Sequence, residues 1–201
     1  MSLLIDYIRH GEPIGGSRYR GSAIDDPLSE KGWAQMKHST QGDIPWTRII
    51  SSPLSRCHAF AHWLGEQHQL PVHIEDDLRE VGFGSWEGET KQTLLANRAD
   101  EFHAFYADPV NQRPEGAEPL DKFGQRCAYV FDQLCKTYLD EHLLVVAHAG
   151  VIRATFGHVT QAPASSWYRA DVSNASITRF AVTDKLRKLV YFNCLPHGPL
   201  S

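Results

Sequence analysis

Five apolar residues, Leu143-Leu144-Val145-Val146-Ala147, run without a polar interruption between two helical patterns. A strand with one wet face alternates polar and apolar side chains, so an unbroken apolar run of strand length has both faces covered. The flanking patterns supply a cover. Leu120, Phe123, Cys127, Phe131, Leu134 and Tyr138 step by three or four, which marks an amphipathic helix, and Val151–Val159 resumes as helix. A second short apolar run, Leu3–Ile8, reads as a buried strand. Thr47–Ser51 and the shorter Pro71–Ile74 read as further strands. Pro53 suits the first turn of a helix running to about Gln69, with Phe60 and Leu64 on one face. Ser29 is placed to cap a helix over about 30–40. Pro13–Pro27 is a glycine- and proline-bearing loop. Thr90–Tyr106 reads as one helix, and Ser176–Val182 and Lys188–Asn193 as late strands joined by a polar turn. Strands that alternate with helices imply an α/β sandwich on a mostly parallel sheet. No repeat, low-complexity tract or linker divides the chain, so 1–201 is expected to be one domain.

In such sheets ligands sit beyond the carboxyl ends of the strands. Three of those ends carry chemically loaded residues. Arg9-His10-Gly11-Glu12 follows the first strand. An unpaired Arg9 there is costly unless an anion meets it, and Gly11 allows a sharp turn and close ligand approach. Ser51 through Arg56 lies where a strand passes into a helix, whose free amides and positive dipole end favour phosphate; Arg56 adds a bidentate donor. His148, followed by Ala149-Gly150, ends the central strand. A fourth segment, Leu78 to Gly88, brackets glycines and aromatics with Glu80 and Glu87. Its glycines do not spell the dinucleotide fingerprint. Each segment alone also fits a plain structural role: a surface turn, an exposed helix arginine, a core histidine.

The net charge of −4 argues against non-specific nucleic-acid binding, while a few local arginines suffice for a phosphate ligand. Cys57, Cys127, Cys135 and Cys194 form no C-x-x-C pair and read as reduced, mostly buried cysteines. No signal peptide and no membrane-length apolar stretch is visible, which makes a cytoplasmic setting the expectation. His58 and His62 are four apart on a helix, but no third ligand sits at a recognised spacing, so no metal site is expected.

Taken together, the R-H-G-E, S-x-L-x-R, L-x-E-x-x-F-G-x-W-E-G and H-A-G segments, with Asp26-Pro27-Leu28-Ser29-Glu30-Lys31-Gly32, resemble the histidine phosphatase superfamily in content and order. The resemblance covers roughly residues 3–155. It implies a three-layer α/β/α sandwich with a mostly parallel central sheet and a small helical cap inserted at about 82–116. It implies His10 as nucleophile, Glu80 as the acid that protonates the leaving oxygen, and Arg9, Arg56 and His148 as the phosphate grip. Relatives often carry Asn six residues after the nucleophile. Gly16 stands there in a loop about two residues shorter, and Ser17 is the candidate replacement for the polar contact.

These residue types suit phosphoryl transfer. A neutral imidazole attacks phosphorus and splits one hard step into two. Two arginines and a second histidine, protonated beside the dianion, meet the charge of the transition state. No cofactor is called for, the partner is a small phosphorylated substrate, and a monomer or homodimer is expected. Mutases of the family are longer, so the compact chain points to hydrolysis; a broad-specificity phosphatase or a phosphoglycerate mutase-type phosphotransferase is the alternative, and a non-catalytic phospholigand-binding module ranks behind them. Within the family, the Phe83–Gly88 segment looks most like the bacterial alpha-ribazole phosphatases, a group that dephosphorylates alpha-ribazole 5′-phosphate for the cobalamin nucleotide loop. Trp86, Phe105 and Tyr106 are candidates to stack on the benzimidazole, unless they are core.

Overall fold

The computed structural model describes residues 2–195; the tail 196–201, from which no functional signal was read, lies outside the described residues. Six strands form one sheet in the order β3-β2-β4-β1-β5-β6. They are β1 (Ser2–Arg9), β2 (Arg48–Ser51), β3 (Val72–Ile74), β4 (His142–Ala147), β5 (Ile177–Thr183) and β6 (Arg187–Cys194). The pairs β1–β4, β2–β4 and β2–β3 are parallel. β5 runs antiparallel to β1, and β6 antiparallel to β5.

The unbroken run of β4 divides between two cores. Leu143, Val145 and Ala147 join one cluster with Phe123, Phe131 and Ile152. Leu144 and Val146 join the other with Met36, Phe60 and Leu64. The first core lies under α5 (Leu120–Thr137) and α6 (Ala149–Thr160), the second under α1 (Glu30–Ser39) and α2 (Ser55–His68). Successive side chains of a strand point to opposite faces, and here both faces are dry. This is the expected three-layer arrangement. β1 makes one exception to apolar filling. Buried Asp6 takes two bonds from Arg179 (2.7 and 2.8 Å), one from Trp46 Nε1 (2.8 Å), and lies 2.9 Å from His142 Nε2. Burial pushes its carboxyl up, but these partners outweigh it and hold the group below the usual carboxylate range.

Ser29 caps α1 as expected, its Oγ accepting from Gly32 N at 3.0 Å. Two other boundaries need correction. Pro53 is not in the first turn of α2: Leu54 is the extended N-cap residue, and the helix begins at Ser55. The chain stays extended because Ser55 N and Oγ are tied to Asp25 Oδ1, at 2.6 and 2.9 Å, which fixes where the first turn starts. Nor is Thr90–Tyr106 one helix. α3 (Lys91–Asn97) and α4 (Ala99–Ala107) meet at Arg98, whose φ of −142° and ψ of 42° are not helical. Its guanidinium is held by Ser85 O (3.1 Å), Ser85 Oγ (2.9 Å) and Glu101 (2.8 Å), so the chain bends to keep those bonds.

All four cysteines are free; Cys57 and Cys127 are buried, Cys135 is half-buried and Cys194 is exposed. Among the described residues no helix is long and apolar enough to cross a membrane.

Candidate active site

The parallel register aligns three strand ends. Arg9 pairs with Ala147, and Ser51 with Val146, so Arg9-His10, Ser52–Arg56 and His148 emerge side by side. Beside them is a cavity of about 440 Å³ lined by Arg9, His10, Arg56, Glu80 and the exposed Ser17, among others. The sequence-predicted site residues therefore converge, with two qualifications. His148 is fully buried and sits behind His10, their ring centroids 5.2 Å apart. Ser17 stands on the rim, after a tight turn in which Gly15 and Gly16 take φ of 81° and 70°.

His10 is 6% exposed. Its Nδ1 lies 2.7 Å from Gly11 O, and a carbonyl only accepts, so Nδ1 carries the proton. The lone pair is then on Nε2. The segment before β5 clamps this turn from the other side. Val172 O accepts from Arg9 Nη1 (2.5 Å), Ala175 N donates to Arg9 O (3.0 Å), and Asn174 Nδ2 donates to His10 O (2.9 Å).

Arg56 is 1% exposed; it donates from Nη1 to Ile24 O (2.9 Å) and from Nη2 to Gly21 O (3.0 Å). Arg9 Nε and Arg56 Nε are buried without a hydrogen-bond partner among the described residues. Burial first, then the nearby Arg153, brings the Arg9 guanidinium down to about 10. His148 Nε2 is 2.8 Å from Ser52 Oγ. Burial and then the arginine charges push both His10 and His148 well below the usual histidine range. The free site thus holds two neutral imidazoles, and protonation of His148 requires an incoming anion.

Glu80 follows the short turn Asp76–Leu78. Its Oε1 accepts from Val81 N (2.9 Å) and its Oε2 from Gly150 N (3.2 Å) at the start of α6. A Cβ at position 150 would collide with Glu80 Oε1 and push the carboxylate from this place, so glycine here lets it sit against the start of α6.

Further lining residues were not singled out in the sequence: Tyr19, Arg20, Lys91, Phe102, Arg153, Tyr168 and Asn174. Arg153 had a legible signal, since it lies four residues after Ala149 on the same helix face. Asn174 had none, because only the fold brings it to His10. The stacking candidates need correction. Trp86 and Phe105 are fully buried, packed against each other at 4.9 Å, and belong to the core. Tyr106 lines the cavity, its hydroxyl 2.7 Å from that of Tyr19.

The depressed histidines have a consequence for stability. Unfolded, each takes up a proton near its ordinary 6.5; folded, each resists until well below that. The unfolded chain therefore binds more protons as pH falls below about 6.5, and the fold loses stability across that window. The thermal midpoint is expected to drop between about pH 7 and pH 5. The drop is expected to shrink in His148→Asn; an identical drop in that variant would remove the buried histidine as its cause.

The family model for the histidine phosphatase superfamily (branch 1) matches residues 5–195. An adenosylcobalamin/alpha-ribazole phosphatase of Salmonella typhimurium is 31% identical over 166 residues, covering 80% of this chain and 82% of that protein. Phosphoserine phosphatase 1 of Hydrogenobacter thermophilus is 26% identical over 200 residues, covering 94% and 92%. Among solved structures, a mycobacterial glucosyl-3-phosphoglycerate phosphatase in complex with VO3 superposes with a TM-score of 0.84 at 28% identity, covering 94% of this chain and 98% of that one.

Proposed function

This chain belongs to the histidine phosphatase superfamily, and from that premise we propose that it hydrolyses small phosphomonoesters through a phosphohistidine at His10, with alpha-ribazole 5′-phosphate as its substrate. The observation that carries the chemistry is the 2.7 Å contact from His10 Nδ1 to Gly11 O, which leaves a neutral ring with its Nε2 lone pair beside buried arginines. Nε2 forms the bond to phosphorus as the ester P–O bond breaks. Glu80 gives its proton to the departing alcohol oxygen. Water, losing a proton to the same carboxylate, then cleaves the phosphohistidine and releases phosphate. Arg9 and Arg56 meet the charge on the non-bridging oxygens, and His148, buried behind His10, adds a charge from there by taking up a proton as the dianion arrives.

The leaving group would lie under the cap, 82–116, against Phe102 and Tyr106, with Tyr19 and Tyr168 beside them. Aromatic faces favour a flat heterocycle over a small polar acid, which supports the benzimidazole nucleoside over phosphoserine. Phosphate release without added metal is the test, across alpha-ribazole 5′-phosphate, phosphoserine, 2- and 3-phosphoglycerate, nucleotides and p-nitrophenyl phosphate. A dominant kcat/KM for alpha-ribazole 5′-phosphate is expected. Comparable low values across the panel would overturn the substrate and leave a broad-specificity phosphatase.

The acid role gives its own expected result. Glu80→Gln slows esters of poor leaving groups by about 10²–10⁴-fold and p-nitrophenyl phosphate far less, since nitrophenolate departs without a proton. Equal slowing of both, measured as kcat/KM, would remove Glu80 as the acid.

A further inference from the structure

The Glu80 carboxylate has two hydrogen-bond contacts among the described residues, both to backbone amides, Val81 N and Gly150 N. It stands in a stretch without helix or strand, between the turns Asp76–Leu78 and Gly84–Trp86. The position of the carboxylate is therefore set by how the backbone of residues 77–82 is held.

One side chain holds most of it. Arg126, on α5, donates from Nη1 to Asp77 O (2.5 Å) and Arg79 O (2.7 Å), and from Nη2 to Glu80 O (3.3 Å). The rest of its fork meets Glu118: Nε to Oε1 at 2.8 Å and Nη2 to Oε2 at 2.9 Å. Glu118 in turn closes the far end of the stretch. Its Oε2 accepts from Gly82 N (3.1 Å), and its N donates to Gly82 O (3.0 Å). The Arg126 guanidinium lies over the Phe123 ring at 4.5 Å, which fixes its plane. Glu80 is thus bracketed by anchored carbonyls at 77, 79 and 80 and an anchored amide and carbonyl at 82. Only a planar fork with several fixed donors can serve three carbonyls and a carboxylate at once; a lysine cannot.

We infer that the Arg126–Glu118 pair is a positioning device for Glu80, setting the distance from its carboxylate to the leaving oxygen without touching substrate. This rests on Glu80 being the acid. A misplacement of about 1 Å at such a group costs on the order of 10²-fold. The cost falls on esters that need the proton, and spares those that do not.

The experiment compares Arg126→Met, Glu80→Gln and the double variant on an alkyl phosphate and on p-nitrophenyl phosphate. Arg126→Met is expected to lose about 10–100-fold in kcat/KM on the alkyl ester and less than about 3-fold on p-nitrophenyl phosphate. The double variant is expected to fall no further on the alkyl ester than Glu80→Gln alone, because a displaced acid and an absent one are the same loss. A merely structural role would lower both substrates alike and add in the double variant; either result overturns the inference. Should Arg126→Met not fold, Glu118→Gln reads the same selectivity at a smaller loss of about 3–10-fold. If Glu80→Gln itself shows no leaving-group dependence, the acid assignment fails and the inference falls with it. If Glu80→Gln shows it and neither Arg126→Met nor Glu118→Gln does, the inference fails alone.

Discussion

His10→Ala is expected to lower phosphate release from every monoester by about 10⁴-fold or more and to yield no acid-labile phosphoprotein. The reason is that no other group can take over. His148 is the nearest imidazole, but it is fully buried and its Nε2 faces Ser52 rather than the cavity. Cys57 is buried too, and burial pushes its thiol far up, so it offers no thiolate. The substitution removes one side-chain bond, His10 Nδ1 to Gly11 O, and leaves the turn clamped by Ala175 and Asn174, whose contacts are to backbone oxygens. The variant should therefore fold and still bind inorganic phosphate. Labelling with a radioactive ester, quenched in alkaline denaturant where phosphohistidine survives, reads the intermediate directly. Turnover retained in the variant, or label retained on it, would sink the assignment.

Arg56→Lys carries the second large effect, a fall of about 10³-fold in kcat/KM that is equal across leaving groups. Arg56 spends Nη1 and Nη2 partly on Ile24 O and Gly21 O, which fixes the plane of its fork, and its Nε is buried without a partner among the described residues. A lysine ammonium keeps the charge but cannot hold both carbonyls and still present a planar pair of donors to phosphate oxygens. The substrate's phosphoryl group is common to all esters, so alkyl and nitrophenyl phosphates should suffer alike. That separates Arg56 from Glu80, whose loss discriminates between them. A fall of under about 10-fold, or one confined to poor leaving groups, would remove Arg56 from the phosphate grip.

The sheet was legible because its constraints are local and repetitive. Leu143–Ala147 is apolar at every position because each face of β4 meets its own core. The strand ends were legible for a related reason: charged residues directly after buried strands need an anion. What was not legible depends on single long-range contacts. The bend at Arg98 follows from bonds to Ser85, which periodicity cannot register. For Trp86 and Phe105 the sequence left a stacking role and a core role open, because only the fold packs them against each other in the core. Arg126 carries no signal in the apolar pattern of its helix, although its guanidinium anchors three carbonyls and Glu118. Asp6 interrupts an apolar strand with no sign that Arg179, Trp46 and His142 surround it.

The reversed direction of β5 bears on where the chain can be cut. A parallel strand offers the loop that leaves it to the ligand end of the sheet; an antiparallel strand offers the loop that arrives. The arriving loop brings Val172, Asn174 and Ala175 onto Arg9 and His10, across 163 residues of sequence or more. Every recognisable motif lies before about residue 155, so a fragment ending there would keep each reacting side chain. It would still lose the bonds that set the His10 turn and the inward aim of Arg9. The smallest self-sufficient unit is thus longer than its motifs, and circular permutants should open the chain elsewhere than between α6 and β5.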